Sequence, residues 1–196
     1  MGLLIQCSPA WGGGCAVKAQ ARIRPLRAVL ALCLLSAWVG AQTPNEYEVK
    51  AAFLYKFASF VEWPAAGNST VCIGVVGDDP FGALLDQVVK GKSIYGREFL
   101  VRRFRSGEKP AGCDIVFISP SERKHLRLIL DGLRGANVLT VGETPEFCQS
   151  GGVINFEILN DRVQFEINLE AAARARLKVS SKLLSVAKIT RDGASR

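Results

Sequence analysis

The sequence predicts an α/β fold: a single domain whose mostly parallel sheet is flanked by helices on both faces and ends in an antiparallel β-hairpin at residues 153–169. Two patterns support this prediction. Valine- and isoleucine-rich runs are followed three times by a capping residue, a proline and a helical segment, which is typical of βαβ units. Near the carboxyl end the spacing changes to strict apolar–polar alternation, which indicates paired strands with one buried face.

Residues 45–64 form the first predicted element, an amphipathic helix with a signal at each end. Asn45 is placed to cap it, and Glu48 completes a capping box. Trp63-Pro64 ends it, since the residue before a proline avoids helical backbone angles. Lys50 interrupts the apolar face, so its ammonium group must reach outward or meet a partner. That apolar stripe consists of Val49, Phe53, Phe57, Phe60 and Val61.

The apolar stripe has two interpretations. The favoured one is that the helix covers a face of its own domain. The alternative is that part of the stripe also docks a second molecule, either another copy of the chain or a different protein. The residues that would make such a contact are Lys50, Phe53, Phe57, Phe60 and Trp63.

Four apolar runs then suit buried parallel strands. We expect the strand order 2-1-3-4 of a doubly wound sheet. The strands are predicted at residues 70–77, 98–104, 113–118 and 137–141. Helices are predicted to begin where a capping side chain precedes a proline, at Asp79-Pro80, Ser119-Pro120 and Thr144-Pro145.

The hairpin is predicted from residues 153–159 and 162–169, joined by a two-residue turn at Asn160-Asp161. A shift of register by one residue would mix its two faces, so the register is well specified. One face pairs apolar residues, namely Ile158 with Val163, Phe156 with Phe165 and Ile154 with Ile167. The other face pairs polar residues, namely Glu157 with Gln164 and Asn155 with Glu166. Short helices are predicted to follow, capped by Asn168 and by Ser180 or Ser181.

The amino-terminal region predicts export. Residues 1–41 combine three arginines, an apolar run over 28–39 and a small-residue cleavage pattern ending at Ala41, as in a secretory signal peptide. A retained membrane anchor is the alternative, and residues 1–21 are consistent with an over-extended start. We expect the domain at residues 42–190 and a tail that frays after Lys188, with 191–196 outside the domain.

Export changes the expected partners. The formal charge of +7 falls to +3 in the mature chain, because the leader carries Lys18 and three arginines but no acid. Nucleic-acid binding thereby loses its main support. The predicted location is the periplasm, an oxidising compartment without cytoplasmic nucleotides.

Three of the six cysteines remain in the mature chain. Cys72 lies near the start of the first strand and Cys113 at the start of the third, and these strands are neighbours in the expected order. Neighbouring strands lie about 4.8 Å apart, within reach of a disulfide. Two buried free thiols are the alternative. Cys148 is then left either free or paired across a dimer.

Acidic residues follow the first strand at Asp78 and Asp79. The plainest interpretation is a helix cap. A receiver-type acidic pocket is disfavoured, because Ser119 stands where a phosphorylatable aspartate would be needed. The remaining alternative is a solute crevice at the carboxyl ends of the strands, formed by Asp78, Ser119 and Glu143 and suited to cationic or neutral solutes.

The sequence contains no recognisable catalytic pattern. His125 is the only histidine, and no second histidine or paired thiol is placed to join it in a metal site. No nucleophile triad, dinucleotide fingerprint or phosphate-binding loop is visible. We therefore expect no enzymatic activity, no cofactor and no metal.

Two regions resemble the YfiR-like family of periplasmic regulatory proteins. They are KAAFLYKFASFVEWP at residues 50–64 and the closing INFEI, VQFEINLEAA and LKVSSKLLSVAKI segments. The resemblance covers nearly all of residues 45–190 and rests on aromatic spacing and the FEIN-to-SSKLL ending. It implies a dimerising α/β domain in which Cys72 and Cys113 match one cysteine pair of the family. Cys148 matches one member of a second pair whose partner is absent here.

The resemblance also implies a function. It implies repression of an inner-membrane diguanylate cyclase through that enzyme's periplasmic part, with relief by an outer-membrane lipoprotein and with sensitivity to disulfide redox state. A sensor kinase is an alternative partner. We therefore expect a non-enzymatic periplasmic regulator of cyclic-di-GMP signalling and biofilm formation. The rival hypothesis is a periplasmic small-solute binding or sensor module that uses the strand-end crevice.

Overall fold

A computed structural model describes residues 45–64 and 69–193. The predicted signal peptide and residues 194–196 of the tail lie outside the described residues. The helices are α1 Glu46–Phe60, α2 Ala83–Val89, α3 Leu126–Gly132, α4 Leu169–Arg174 and α5 Ser181–Leu184, with a 3-10 turn at Pro120–Glu122. The strands are β1 Val61–Glu62, β2 Thr70–Val76, β3 Ser93–Ile94, β4 Arg97–Phe104, β5 Ile115–Ile118, β6 Leu139–Gly142, β7 Ile154–Leu159, β8 Arg162–Asn168, β9 Lys178–Val179 and β10 Lys188–Thr190.

Eight of these strands form one sheet in the order β10-β8-β7-β6-β5-β2-β4-β3. Strands β4, β2, β5, β6 and β7 are parallel, whereas β3 and β8 pair antiparallel with β4 and β7. The α/β class with a mostly parallel sheet is therefore confirmed. The order predicted for the first four strands, 2-1-3-4, corresponds to β4-β2-β5-β6 and is also confirmed. Strands β1 and β9 pair separately, antiparallel to each other.

The two faces of the sheet carry separate hydrophobic layers, because successive side chains of a strand point in opposite directions. The four-helix layer lies beneath α1, α2, α4 and α5 and includes Leu54, Phe57, Ile73, Leu85, Ala171 and Leu183. The one-helix layer lies beneath α3 and includes Cys72, Cys113, Leu126, Leu130, Phe147 and Cys148. Helices flank both faces as predicted, but they are distributed unequally.

Helix α1 begins as predicted and ends earlier than predicted. The Asn45 side chain accepts a hydrogen bond from the Tyr47 N–H (3.4 Å), and Glu48 accepts one from the Asn45 N–H (3.2 Å), which completes the capping box. The helix ends at Phe60 instead of at Trp63-Pro64. Val61 has extended backbone angles and pairs with Val179 of β9. A pairing distant in the sequence therefore ends this helix before the proline can.

The segment after β2 starts its helix later than predicted. The Asp79 carboxylate accepts a hydrogen bond from the Phe81 N–H (2.8 Å) and pairs with the Arg103 guanidinium (2.7 Å). These contacts close a turn, and α2 begins only at Ala83, after Gly82 with φ of +52°. Asp79 therefore caps a turn, and the prediction that it caps a helix is wrong.

The segment after β5 also departs from a continuous helix. Ser119 accepts a hydrogen bond from the Ser121 N–H (3.4 Å), as predicted for a cap. The Glu122 side chain, however, is buried and accepts a hydrogen bond from the Ser106 hydroxyl (3.0 Å), not from the Ser119 N–H. The result is a 3-10 turn, and α3 begins at Leu126.

The helix predicted at Thr144-Pro145 is absent from the described structure, since residues 144–150 form turns. The completely buried ring of Phe147 lies between Gly142 and Gly152, where a Cβ on either glycine would overlap it. Glu146 has φ of +62°, which a right-handed helix does not accommodate. The packing of the Phe147 ring between the two glycines therefore accounts for the turns at residues 144–150.

The hairpin has the predicted register. Strands β7 and β8 pair Ile154 with Ile167, Phe156 with Phe165 and Ile158 with Val163, around a turn in which both Asn160 and Asp161 have positive φ. Asn168 and Ser180 cap α4 and α5 as predicted.

The prediction that the chain frays after Lys188 is wrong for residues 189–192. Strand β10 pairs parallel with β8, with Ile189 opposite Ile167. Asp192 then pairs with Arg174 and accepts a hydrogen bond from Asn168. These two contacts, the one to Arg174 first, hold the pKa of Asp192 below its usual value.

Candidate functional site

The disulfide between Cys72 and Cys113 is present, with Cα atoms 4.4 Å apart. Cys72 lies on β2 and Cys113 lies two residues before β5, so the bond links neighbouring strands as predicted. The two residues are only 4% and 5% exposed. The disulfide is therefore a shielded part of the one-helix layer.

Asp114, next to Cys113, contacts Cys72 and two other segments. Its carboxylate accepts a hydrogen bond from the Cys72 N–H (2.8 Å) and pairs with the Arg97 guanidinium on β4 (2.8 Å). Its backbone carbonyl accepts a hydrogen bond from the Trp63 indole N–H (3.3 Å). The disulfide and Trp63 therefore belong to one hydrogen-bonded cluster around Asp114.

A cavity of about 830 Å³ opens beside the disulfide. Its walls are the loop at residues 106–114 and helix α3, with Trp63 at its rim. The α3 residue Leu128 contributes an apolar side chain that is 74% exposed. The surface next to the disulfide is thus partly apolar and accessible.

Lys50 meets the partner that the sequence requires of it. Its ammonium group pairs with Glu143, which follows β6, and with Glu46 one turn earlier in α1. It also lies 4.8 Å from the centre of the Tyr47 ring, whose hydroxyl donates to Glu143 (3.3 Å). Burial opposes the charged form of Lys50, but the hydrogen bonds to Glu143 and Glu46 outweigh it and raise the pKa of Lys50. Burial and the charge of Glu143 raise the pKa of Tyr47.

The residues predicted to form a solute crevice lie near one edge of the sheet but do not surround one site. Asp78 is exposed, and its N–H donates to the Ser121 hydroxyl (3.0 Å). Ser119 is buried and caps the 3-10 turn. Glu143 lines a cavity of about 640 Å³, and Asp78 and Ser119 are not among its lining residues.

The predicted contact residues of α1 differ in accessibility. Phe57 is completely buried against Phe156 and Phe165 of the hairpin, and Lys50 is 3% exposed. Phe53, Phe60 and Trp63 are half-buried and pack on the four-helix layer. Direct contact with another molecule is therefore open only to these three, while Lys50 and Phe57 hold the helix to its own domain.

Cys148 is a free thiol within the described part of the chain and is completely buried. Its sulfur lies 3.6 Å from the Val153 carbonyl oxygen and 3.8 Å from that of Glu166. Burial, and secondarily the nearby Glu166, raises the pKa of this thiol well above its usual value. A disulfide across a dimer would require this region to open first.

The polar face of the hairpin is buried, which the sequence analysis did not predict. Asn155 and Glu166 face each other as predicted, but they are only 3% and 2% exposed. Burial, followed by the charge of Glu157, raises the pKa of Glu166. One general rule could have predicted this burial. Parallel sheets are covered on both faces, and a hairpin that joins such a sheet is covered in the same way.

Within residues 45–64 and 69–193, no cluster of three or more histidine, cysteine, aspartate or glutamate side chains could hold a metal ion. Over the same residues, no helix combines the length and apolarity needed to cross a membrane.

A doubly wound α/β domain with a shielded disulfide, an internally paired charge cluster and open surface cavities has the features of a binding or regulatory domain. The model of the YfiR/HmsC-like family matches residues 47–188, and the chain belongs to this family. The family consists of periplasmic regulatory proteins, not catalytic ones, that act with a membrane signalling partner.

A solved structure is also similar to this chain. It is a conserved domain protein from Vibrio cholerae O1 biovar El Tor strain N16961, with a TM-score of 0.53 and 11% sequence identity. The match covers 74% of this chain and 60% of that one, so this chain spans less than two thirds of its length. At this identity the similarity concerns the fold alone.

Proposed function

We propose that this protein is a non-enzymatic periplasmic regulator that binds and represses an inner-membrane diguanylate cyclase. The observation that carries the proposal is the family match over residues 47–188, which spans nearly the whole described domain. The shielded disulfide is consistent with an oxidising compartment. An outer-membrane lipoprotein would relieve the repression, and a sensor kinase is the alternative partner.

The proposed contact surface, used for the partner or for a homodimer, consists of the half-buried aromatic residues of α1 and of the segment that follows it. Phe53, Phe60 and Trp63 keep part of their surface accessible, and half-buried aromatic residues are typical anchors of protein interfaces. Lys50 and Phe57 support this surface from below. Their role is to fix the position of α1.

The redox state of Cys72–Cys113 would control this surface. With the bond closed, Asp114 holds β2, β4 and Trp63 together through its carboxylate and carbonyl groups. Reduction by a dithiol transfers two electrons and two protons, leaving two thiols and an oxidised dithiol. The loop then loosens, Trp63 loses its anchor, and repression weakens.

The test uses bacteria that carry this protein together with a membrane cyclase encoded beside it. Expression of the wild-type protein is expected to lower cellular cyclic-di-GMP and to co-purify the cyclase from solubilised membranes. Replacing Phe60 and Trp63 by alanine should abolish both effects. Tyr95→Ala is the aromatic control, because Tyr95 is 82% exposed and lies in the turn between β3 and β4, outside the proposed surface.

Unchanged cyclic-di-GMP with wild-type protein, despite normal export, would reject repression of a cyclase. Co-purification of a sensor kinase in place of a cyclase would assign the alternative partner. Equal loss of binding in Tyr95→Ala and in the Phe60/Trp63 double variant would reject the proposed surface.

A further inference from the structure

The cavity of about 640 Å³ beside Glu143 carries an excess of negative charge. Five glutamates line it against two lysines. Its volume is within the range of small-molecule sites. Glu143 is paired with the buried Lys50, whereas Glu157 and Glu166 share Lys188. The two ends of the cavity therefore differ in how well their carboxylates are neutralised.

Lys188 neutralises its end of the cavity poorly. Its ammonium nitrogen lies 3.6 Å from the Glu157 carboxylate and 3.8 Å from that of Glu166, and its side chain is 67% exposed. Charge-assisted hydrogen bonds are shorter, at about 2.7–2.9 Å. Exposed ion pairs contribute little because water competes for both charges. The buried carboxylate of Glu166 thus lacks a close cation.

Asn155 adds an unsatisfied acceptor next to this carboxylate. The residue lines the cavity and is only 3% exposed. Its amide nitrogen lies 3.5 Å from Glu166 Oε1, and its carbonyl oxygen has no hydrogen-bond partner in the described part of the chain. A buried carbonyl without a donor is energetically costly. Asn155 therefore leaves an acceptor without a donor at the wall of the cavity.

We propose that this cavity binds a small organic cation with N–H donors, a primary amine or a diamine. The ammonium group of the ligand replaces Lys188 at Glu166 and donates a hydrogen bond to the Asn155 carbonyl oxygen. Anionic ligands are disfavoured by the excess of carboxylates. The site uses β7 and β8, so it differs from a crevice built on Asp78 and Ser119, and it does not depend on the proposed membrane partner.

The experiment measures binding of 1,4-diaminobutane to the purified protein by isothermal titration calorimetry. Tetramethylammonium is the comparison probe, because it carries positive charge without N–H donors. We expect diaminobutane to bind with a Kd of about 1 mM or tighter. We expect tetramethylammonium to bind about tenfold more weakly, because it cannot satisfy Asn155.

Four variants locate the site. Glu166→Gln and Asn155→Leu should each weaken diaminobutane binding about tenfold, and Asn155→Leu should leave tetramethylammonium binding unchanged. Lys188→Met should strengthen diaminobutane binding severalfold, because it removes the competing internal cation. Glu170→Gln is the matched control on the exposed surface and should have no effect. The melting temperature of each variant without ligand establishes that it is folded.

Three results would overturn the proposal. Diaminobutane fails to bind the wild-type protein at millimolar concentration, Glu170→Gln weakens binding as much as Glu166→Gln does, or Lys188→Met weakens binding. The last variant keeps the test decisive even if the buried substitutions prevent folding, because Lys188 is exposed.

Discussion

The two faces of the sheet are covered by different amounts of secondary structure. Four helices pack on one face, and their buried residues include a cluster of stacked and edge-on aromatic rings around Phe57. On the other face α3 is the one helix among the described residues, and the only cross-link described there is Cys72–Cys113. The comparison teaches that a covalent bond reinforces the face that has less apolar packing. We therefore expect the stability of the one-helix layer to depend more on the disulfide than that of the four-helix layer does.

The largest expected effect is on the four-helix layer. Phe57→Ala should lower the free energy of unfolding by about 4 kcal/mol, because Phe57 is completely buried. Leu130→Ala, in the one-helix layer, should cost about 2 kcal/mol, because α3 can move toward the vacated space. Urea denaturation of both variants measures the difference. A larger loss of unfolding free energy in Leu130→Ala than in Phe57→Ala would contradict the stronger packing of the four-helix layer.

Removing the disulfide should have the next largest effect. Replacing Cys72 and Cys113 by alanine should lower the free energy of unfolding by up to about 4 kcal/mol, because the bond closes a loop with a sequence separation of 41. Hydrogen exchange should accelerate more in β5 and α3 than in α1. A dithiol should have no effect on this variant, which serves as the control for reduction of the wild-type protein. Uniform acceleration across both layers would contradict the assignment of the bond to one face.

Substitutions in the Lys50–Glu143 ion pair measure how much an unpaired buried charge destabilises the domain. Lys50→Met should cost about 3 kcal/mol, because it leaves Glu143 buried without its cation. Adding Glu143→Gln should recover most of that loss, since the uncompensated charge is removed. Thermal unfolding of both single variants and the double variant gives the coupling between the two residues. Additive losses would show that the ion pair does not act as a unit.

The smallest expected effect concerns Glu166, which lies on the same side of β8 as the one-helix layer. Its raised pKa means that the folded state takes up a proton more readily than the unfolded state. Its contribution to stability is therefore fully present below the unfolded pKa and is lost as pH rises through the folded value. The wild-type melting temperature should increase relative to that of Glu166→Gln as pH falls from about 7 to 5. If the two melting temperatures differ by the same amount throughout that pH range, Glu166 does not take up a proton more readily in the folded state.

Much of the fold follows from local patterns. Capping residues, the change from helical to alternating spacing and the Asn-Asp turn predicted the start of α1 and the hairpin. The order of the first four parallel strands followed from the doubly wound arrangement. The departures have nonlocal causes. Helix α1 ends early because β9, more than a hundred residues later, pairs with Val61, and the segment after β6 turns because Phe147 fits between two glycines. Neither contact has a signal within the segment itself.

The candidate site was predictable to a smaller extent. The disulfide followed from strand adjacency, a rule that uses only topology. The need for a partner at Lys50 was also apparent, but the identity of Glu143 depends on how α1 packs across the sheet. The cavity around Asn155 and Glu166 could not be predicted, because it requires β10 to pair beside β8.

The ends of the eight-stranded sheet have a consequence for handling the protein. The outermost strands, β3 and β10, contain two and three residues, respectively. Each covers only part of its neighbour: β3 pairs with Arg97 and Glu98 of β4, and β10 pairs with Glu166, Ile167 and Asn168 of β8. Free backbone groups on such edges let a second molecule extend the sheet, a common route to aggregates. A truncation before Lys188 would remove the pairing of Glu166, Ile167 and Asn168 and so lengthen the open edge of the seven-residue strand β8. Protein that keeps the last strand should therefore aggregate less than a chain truncated before it, which should form β-rich precipitates more readily.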